Sequence, residues 1–177
     1  MPMVDVVIPE GALRPEAEAR LMKEMTDILI RAEGFHPTNE VAQSVTFVFL
    51  HRSAAIYVGG APATKPRYRV VPSVAEGKYS DKAVRSLIAE VTEAFARAEG
   101  TKLEDIAPRV WIFPTDIPEG RWGARGVVRS IGDIQALITG EHERELGMEM
   151  LAERRRARAA ELIDAVADSL RANAKPD

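Results

Sequence analysis

From Met3 the chain runs Met-Val-Asp-Val-Val-Ile, an apolar stretch broken only by Asp5 and closed by Pro9-Glu10-Gly11, with the length and ending of a strand. Pro15 then stands where a first-turn proline belongs. Leu21, Met22, Met25, Ile28, Leu29 and Ala32 recur at helical spacing on one face until Gly34 stops the helix. The pattern next predicts a short helical turn over 37–42, an alternating strand over 44–50 around Val45, Phe47 and Phe49, and a short strand over 56–58. After Gly59-Gly60, residues 61–66 read as a proline-containing linker. A strand from Tyr68 to Val71 follows, then a helix capped by Ser80 with Val84, Leu87, Ile88, Val91 and Phe95 on its apolar stripe and a stop at Gly100. Val110 to Phe113 predicts another strand, 114–121 a loop, and Trp122 the centre of a short extended piece. Ser130 caps a short helix through Ile138. Residues 141–170 then predict one long amphipathic helix, with Leu146, Met150, Leu151, Leu162, Ile163, Val166 and Leu170 as its apolar positions. Its basic run, Arg154-Arg155-Arg156 and Arg158, shares the helix with acidic residues and reads as a solvated face.

The two halves of this pattern are copies. At an offset of 66 residues Glu10-Gly11 falls on Glu76-Gly77, Leu21 on Leu87, Glu24 on Glu90, Thr26 on Thr92, Phe47 on Phe113 and Gly60 on Gly126. Arg31-Ala32-Glu33-Gly34 falls as a block on Arg97-Ala98-Glu99-Gly100. Strand, long helix and strand in each copy predict a β-α-β unit with parallel strands and a right-handed crossover. The expected fold class is α+β: two fused β-α-β units forming a four-stranded sheet with two helices on one face, plus a long C-terminal helix. The other face of such a sheet is apolar and uncovered, so sister sheets are expected to cover it in a homotrimer.

Composition narrows the function. The chain has 177 residues, 46% of them hydrophobic and 29% charged, which suits one globular domain with a real core. No apolar run reaches the roughly 18 residues of a membrane span, and the first residues lack the pattern of a signal peptide, so the expectation is a cytoplasmic protein without a membrane partner. There is no cysteine. A net charge of −3 gives no field for a polyanion, and no nucleic acid is expected. His36, His51 and His142 lack the spacing of a metal site, and Gly59-Gly60 is followed by no Lys-Ser/Thr of a phosphate loop. Chemistry without a metal or cofactor is expected.

Met1-Pro2 offers a candidate for that chemistry. Removal of Met1 would leave a secondary amine on a rigid ring. An α-amino group titrates at about 7.7–8.0, and burial or neighbouring cations move it lower, towards the range of a general base. A proline at the start of an edge strand also needs no functional reason, so the dipeptide alone is weak evidence.

The second copy carries Glu76-Gly77-Lys78-Tyr79-Ser80-Asp81 after its first strand and Pro118-Glu119-Gly120-Arg121-Trp122-Gly123 after its second. With Pro2, these stretches make the chain resemble the tautomerase superfamily, in particular 4-oxalocrotonate tautomerase. The fused form with Tyr57-Val58-Gly59-Gly60 is similar to the cis-3-chloroacrylic acid dehalogenase group. The resemblance spans about residues 2 to 126. It implies a tautomerase-like domain over 1–140, made of copies 2–60 and 67–126, and a C-terminal extension over 141–177. By resemblance Pro2 is the catalytic base, Lys78 binds the substrate carboxylate and Trp122 forms the apolar wall. Arg109 stands two residues before the position of the family's other carboxylate-binding arginine, which Trp111 occupies here. Arg121, read from the residues, is a further cation for the substrate. Read by the repeat, Pro2 falls on Tyr68 and Lys78 falls back on Ala12, so base and cation come from different copies. Arg52, Arg67 and Arg69 are further cations that the sequence does not rank. The implied activity is a cofactor-independent isomerisation of a small 2-hydroxy-dienoate or enolpyruvate-type acid. Two alternatives stand beside it. One is a dehalogenase-like hydratase or a small keto-acid decarboxylase. Against it, Leu29 stands where the dehalogenases carry a histidine, and only Glu119 and Asp116 offer a loop carboxylate. The other is a β-α-β assembly protein without catalysis.

Overall fold

The computed structural model describes residues 2–173. Met1, with the expected removal of the initiator, and residues 174–177 of the expected extension lie outside the described residues. Strand β1 (Met3–Val7) turns Val4 and Val6 into the core and Met3, Asp5 and Val7 to the other face, as the two-residue period of a strand requires. Helix α1 (Pro15–Ala32) opens on Pro15, whose missing N–H has no partner to lose in a first turn, and buries Leu21, Met25, Ile28 and Leu29. The short turn expected over 37–42 is α2 (Glu40–Ser44), displaced because the Asn39 side chain caps it by accepting the Ala42 N–H at 2.9 Å. After β2 (Phe47–His51), β3 (Tyr57–Val58) and β4 (Ala61–Pro62) form a hairpin. The expected linker over 61–66 thus begins with a strand, because Gly59 and Gly60, at φ of 59° and 81°, make the two-residue turn that pairs the two arms.

The second copy repeats the plan: β5 (Tyr68–Ala75), α3 (Asp81–Glu99), a short α4 (Leu103–Ile106), β6 (Val110–Ile112), β7 (Thr115–Ile117) and a hairpin of β8 (Trp122–Ala124) and β9 (Val127–Arg129). The expected loop over 114–121 contains β7. Pro114, without an N–H, breaks the ladder and splits one edge strand into β6 and β7, both parallel to β5. Sheet order is β2-β1-β5-β6, with β7 also on β5. The two copies join through β1 and β5, which run antiparallel with Met3 opposite Ser73 and Val7 opposite Arg69. Helices α1 and α3 pack side by side over one face, around Leu21, Met25, Leu87, Val91 and Phe95. Two ion pairs bridge them, Arg31 to Glu90 at 2.9 Å and Arg97 to Glu24 at 2.5 Å. They are the same pair at the 66-residue offset, the reciprocity a two-fold axis demands. On the other face Phe47, Phe49, Trp111 and Phe113 are exposed.

The last elements are α5 (Ile131–Thr139), opened by a capping box of Ser130 and Asp133, and α6 (Arg144–Asn173). They approach closely at Gly132 and Gly147. A Cβ on Gly147 would lie 2.9 Å from the Ile131 carbonyl oxygen and 3.0 Å from the Gln135 Cβ. Three arginines then tie α6 to the second copy: Arg154 to Asp81 and Arg155 to Glu76, each at 2.9 Å, and Arg158 to Asp116 at 3.8 Å. Beyond them the expected amphipathic packing stops. Leu151 is buried, whereas Leu162, Ile163, Val166 and Leu170 are exposed, because α6 outruns the body of the domain.

The clamp on α6 is pH-dependent. The Arg155 guanidinium, with the Glu119 N–H behind it, holds the Glu76 carboxyl down at about 2. Because the folded value lies below the unfolded one, this contribution is complete above about pH 5 and is lost as the pH falls towards 2. The midpoint of thermal unfolding should therefore drop over this window, and Glu76→Gln should flatten the drop. An equally steep acid limb in the variant would remove Glu76 from the clamp.

Candidate active site

Antiparallel pairing of β1 with β5 sets the start of β1 beside the end of β5, and therefore beside β7 and the β8–β9 hairpin of the other copy. Pro2 is buried there, its carbonyl accepting the Phe47 N–H at 3.3 Å. It lines a cavity of about 520 Å³. The first copy contributes Pro2, Met3, Val45 and Phe47, and the second contributes Ile117, Arg121, Trp122 and Arg125. Trp122 is half-buried and backs onto the apolar cluster of Phe35, Ala75, Ile134 and Ile138, which fixes this wall of the cavity.

Arg125 escaped the sequence reading. At φ 54° it is the one non-glycine residue in the left-handed region among the described residues. Its repeat counterpart is Gly59, so the signal was available: an arginine occupies the place of a turn glycine. Non-glycine residues in that region are held against strain and gather at functional sites. Among the described residues neither Arg121 nor Arg125 makes a side-chain hydrogen bond or ion pair, and no carboxylate lines the cavity. The arrangement is a buried ring nitrogen position, an indole wall and two unneutralised guanidiniums. It can hold a small acid by its carboxylate and leave its carbon skeleton against the proline.

The other expected site residues lie elsewhere. Lys78 does not line this cavity. It is 4% exposed, with its ammonium 2.5 Å from Gln135 Oε1 on α5 and 4.3 Å from the centre of the Phe35 ring. Burial lowers its pKa, against the pull of Glu33 and Glu143. Helix α5 thus engages the cation that the family pattern gives to substrate. Arg109, 5% exposed, donates to Glu99 Oε2 at 2.8 Å, to Glu99 Oε1, and to the carbonyls of Pro66 and Asp105 at 2.8 and 2.9 Å. Its donors are committed to structure, because the guanidinium closes the end of α3 onto the turn before β6. Of the loop carboxylates, Glu119 accepts the Ile131 N–H at 3.1 Å and Asp116 faces Arg158; neither lines the proline cavity. His51 pairs with Asp5 at 2.6 Å and His36 with Thr38 at 2.7 Å. Among the described residues no group of side chains has the makings of a metal site.

No protein-family model matches the sequence, and neither does any curated protein. Solved structures do match. Pt0534 inactivated by 2-oxo-3-pentynoate superposes with a TM-score of 0.58 at 21% identity, over 71% of this chain and 95% of that one. R7, a fused 4-OT described as a wild-type asymmetric trimer, gives 0.57 at 21% over 71% and 94%. The chain has the fused tautomerase fold. Macrophage migration inhibitory factor from Toxoplasma gondii is also similar, with a TM-score of 0.56 at 16% identity over 72% of this chain and 99% of that one. These neighbours are covered almost whole, so more than a quarter of this chain adds to the tautomerase fold.

The buried polar cluster under α5 has a direct test. Removing the amide acceptor by Gln135→Leu leaves the ammonium short of a partner and should lower the unfolding free energy by about 1–3 kcal/mol. Lys78→Met removes the ammonium that donates to Gln135 and lies over the Phe35 ring, and should lower it by a similar amount. Urea denaturation measures both. A Lys78→Met protein as stable as wild type would show that the lysine is dispensable to the fold.

Proposed function

We propose that the protein is a cofactor-independent tautomerase that acts on a small unsaturated 2-hydroxy acid, with the amine of Pro2 as general base. The observation that carries this reading is the burial of Pro2 in a cavity whose wall and cations, Trp122, Arg121 and Arg125, come from the other copy. Arg121 and Arg125 receive the carboxylate. Trp122 excludes water from the diene or enol. The neutral ring nitrogen takes the proton of the 2-hydroxyl as the C–O bond becomes a carbonyl, and the prolinium returns a proton to carbon. Nothing is gained or lost overall, so the reaction needs no cofactor. Nearby guanidiniums disfavour the protonated amine and keep the base ready near neutral pH. Among the described residues no carboxylate lines the cavity, which favours this proton shift over hydration, since hydration needs a group to activate water.

We also propose that three chains assemble around their exposed sheet faces, where Phe47, Phe49, Trp111 and Phe113 await cover. A fused 4-OT of the same fold is a trimer. Mass in solution at micromolar concentration should be that of a trimer, and a stable monomer would overturn the assembly.

The amine is tested by blocking it. Retention of Met1, or any N-terminal tag, turns the nitrogen into an amide and should lower kcat by about 10²-fold or more while thermal unfolding is unchanged. Arg121→Ala and Arg125→Ala should each raise KM, by the roughly 1.5–3 kcal/mol of a charge-assisted contact. Absorbance assays with phenylenolpyruvate and 2-hydroxymuconate read both effects. Full activity in protein shown by mass spectrometry to keep Met1 would remove Pro2 from the mechanism.

A further inference from the structure

The repeat duplicates the proline cavity as well as the fold. At the 66-residue offset Pro2 falls on Tyr68, Val45 on Trp111, Phe47 on Phe113, Gly123 on Tyr57 and Ala124 on Val58. All five counterparts line one second cavity, of about 580 Å³, at the opposite end of the β1–β5 pair. Two differences separate it from the first. Tyr68 is internal to the chain and offers no amine, and its hydroxyl is committed to Glu99 at 2.6 Å. The walls are also more aromatic, with Tyr57 and Trp111 well exposed and the Trp111 and Phe113 rings edge to face at 6.3 Å.

The charge is as one-sided as in the first cavity. Arg67, Arg69 and Arg109 line it, and among the described residues no carboxylate does. Arg109 is neutralised by Glu99. Arg67 uses one terminal nitrogen on the Pro108 carbonyl at 3.2 Å, while its Nε is shielded from solvent with no acceptor. Its other terminal nitrogen has no partner among the described residues and is the group an entering anion can meet. Arg69 sits in the sheet between Val7 and Trp111, and among the described residues its guanidinium has no partner.

We propose that this second cavity binds a small aromatic carboxylate and performs no chemistry on it. The aromatic ring lies among Tyr57, Trp111 and Phe113, where edge and face contacts are both on offer. The carboxylate meets Arg67 and Arg69, whose planar guanidiniums suit it. The chain then carries one reactive and one purely binding member of a duplicated site. This reading stands independently of the chemistry assigned to Pro2.

The two tryptophans make the test clean, since Trp122 lines the first cavity and Trp111 the second. Trp122→Phe leaves Trp111 as the sole indole reporter. Titration of that variant with 3-phenylpropanoate should give a saturable change in fluorescence, and the uncharged 3-phenylpropanamide should bind about tenfold more weakly or worse. An N-terminal tag, which blocks Pro2, should leave the titration unchanged. Arg67→Met combined with Arg69→Met should weaken 3-phenylpropanoate by a similar factor; if that variant does not fold, the comparison of acid with amide decides alone. Equal binding of acid and amide, or no saturable response, overturns the proposal. Because Trp111 and Phe113 also lie on the face proposed for assembly, the titration is run at a concentration where the chain is fully assembled. A Trp111 signal that ignores the ligand there overturns the proposal by making the cavity a contact between copies of the chain.

Discussion

Both candidate cavities of this molecule depend on the antiparallel pairing of β1 with β5. Each copy ends in a hairpin that projects past its own parallel strands, and neither hairpin serves the strand that starts its own copy. Because Met3 lies opposite Ser73 and Val7 opposite Arg69, the start of one copy meets the end of the other at both ends of the pair. Trp122 and Arg125 therefore reach Pro2, and Tyr57 and Val58 reach Tyr68. Had the copies joined in parallel, each first strand would have begun beside the other copy's beginning, far from either hairpin. The reciprocal pairs Arg31–Glu90 and Arg97–Glu24 mark the same axis on the helix layer.

Around this axis the chain sorts its arginines into two populations. Arg52, Arg97, Arg109, Arg144 and Arg155 are each tied to carboxylates and hold elements together. Arg121 and Arg125 in one cavity, and Arg69 in the other, face linings that hold no carboxylate among the described residues. An ion pair partly cancels the field of its cation, so only the second population attracts an anion with full strength. Arg109 shows how little residue type decides: it carries the same guanidinium as Arg121, but Glu99 has taken it.

Helix α5, which follows the second hairpin, reshapes the fold it packs on. It brings Gln135 to the Lys78 ammonium and Ile134 and Ile138 to the back of the Trp122 wall. A loop lysine that would otherwise be free becomes a buried member of a polar cluster, held by a hydrogen bond and by the face of Phe35. The cations left for the first cavity are those of the β8–β9 side. The proline cavity is thus shaped by three parts of the chain: the first strand, the second hairpin and the helix behind it.

The elements and their duplication were determined by the sequence itself. Apolar period, a first-turn proline, serine caps and stop glycines are local signals, and they locate α1, α3 and α5 and most strands. The offset of 66 residues, read from residue identities alone, recurs in helices, hairpins and both cavities. Pro2, Arg121 and Trp122, singled out in the sequence, line one cavity. Three features needed the tertiary structure, for one physical reason: each rests on a partner remote in the chain. Lys78 is engaged by a glutamine 57 residues away, Arg109 is closed by Glu99 and two carbonyls, and Arg125 enters the site because a turn on one copy overhangs the start of the other. The apolar positions of α6 past Leu151 also kept their helical spacing without finding a core. Periodicity fixes which face of a helix is apolar, and only the extent of the body it lies on decides how far that face is buried.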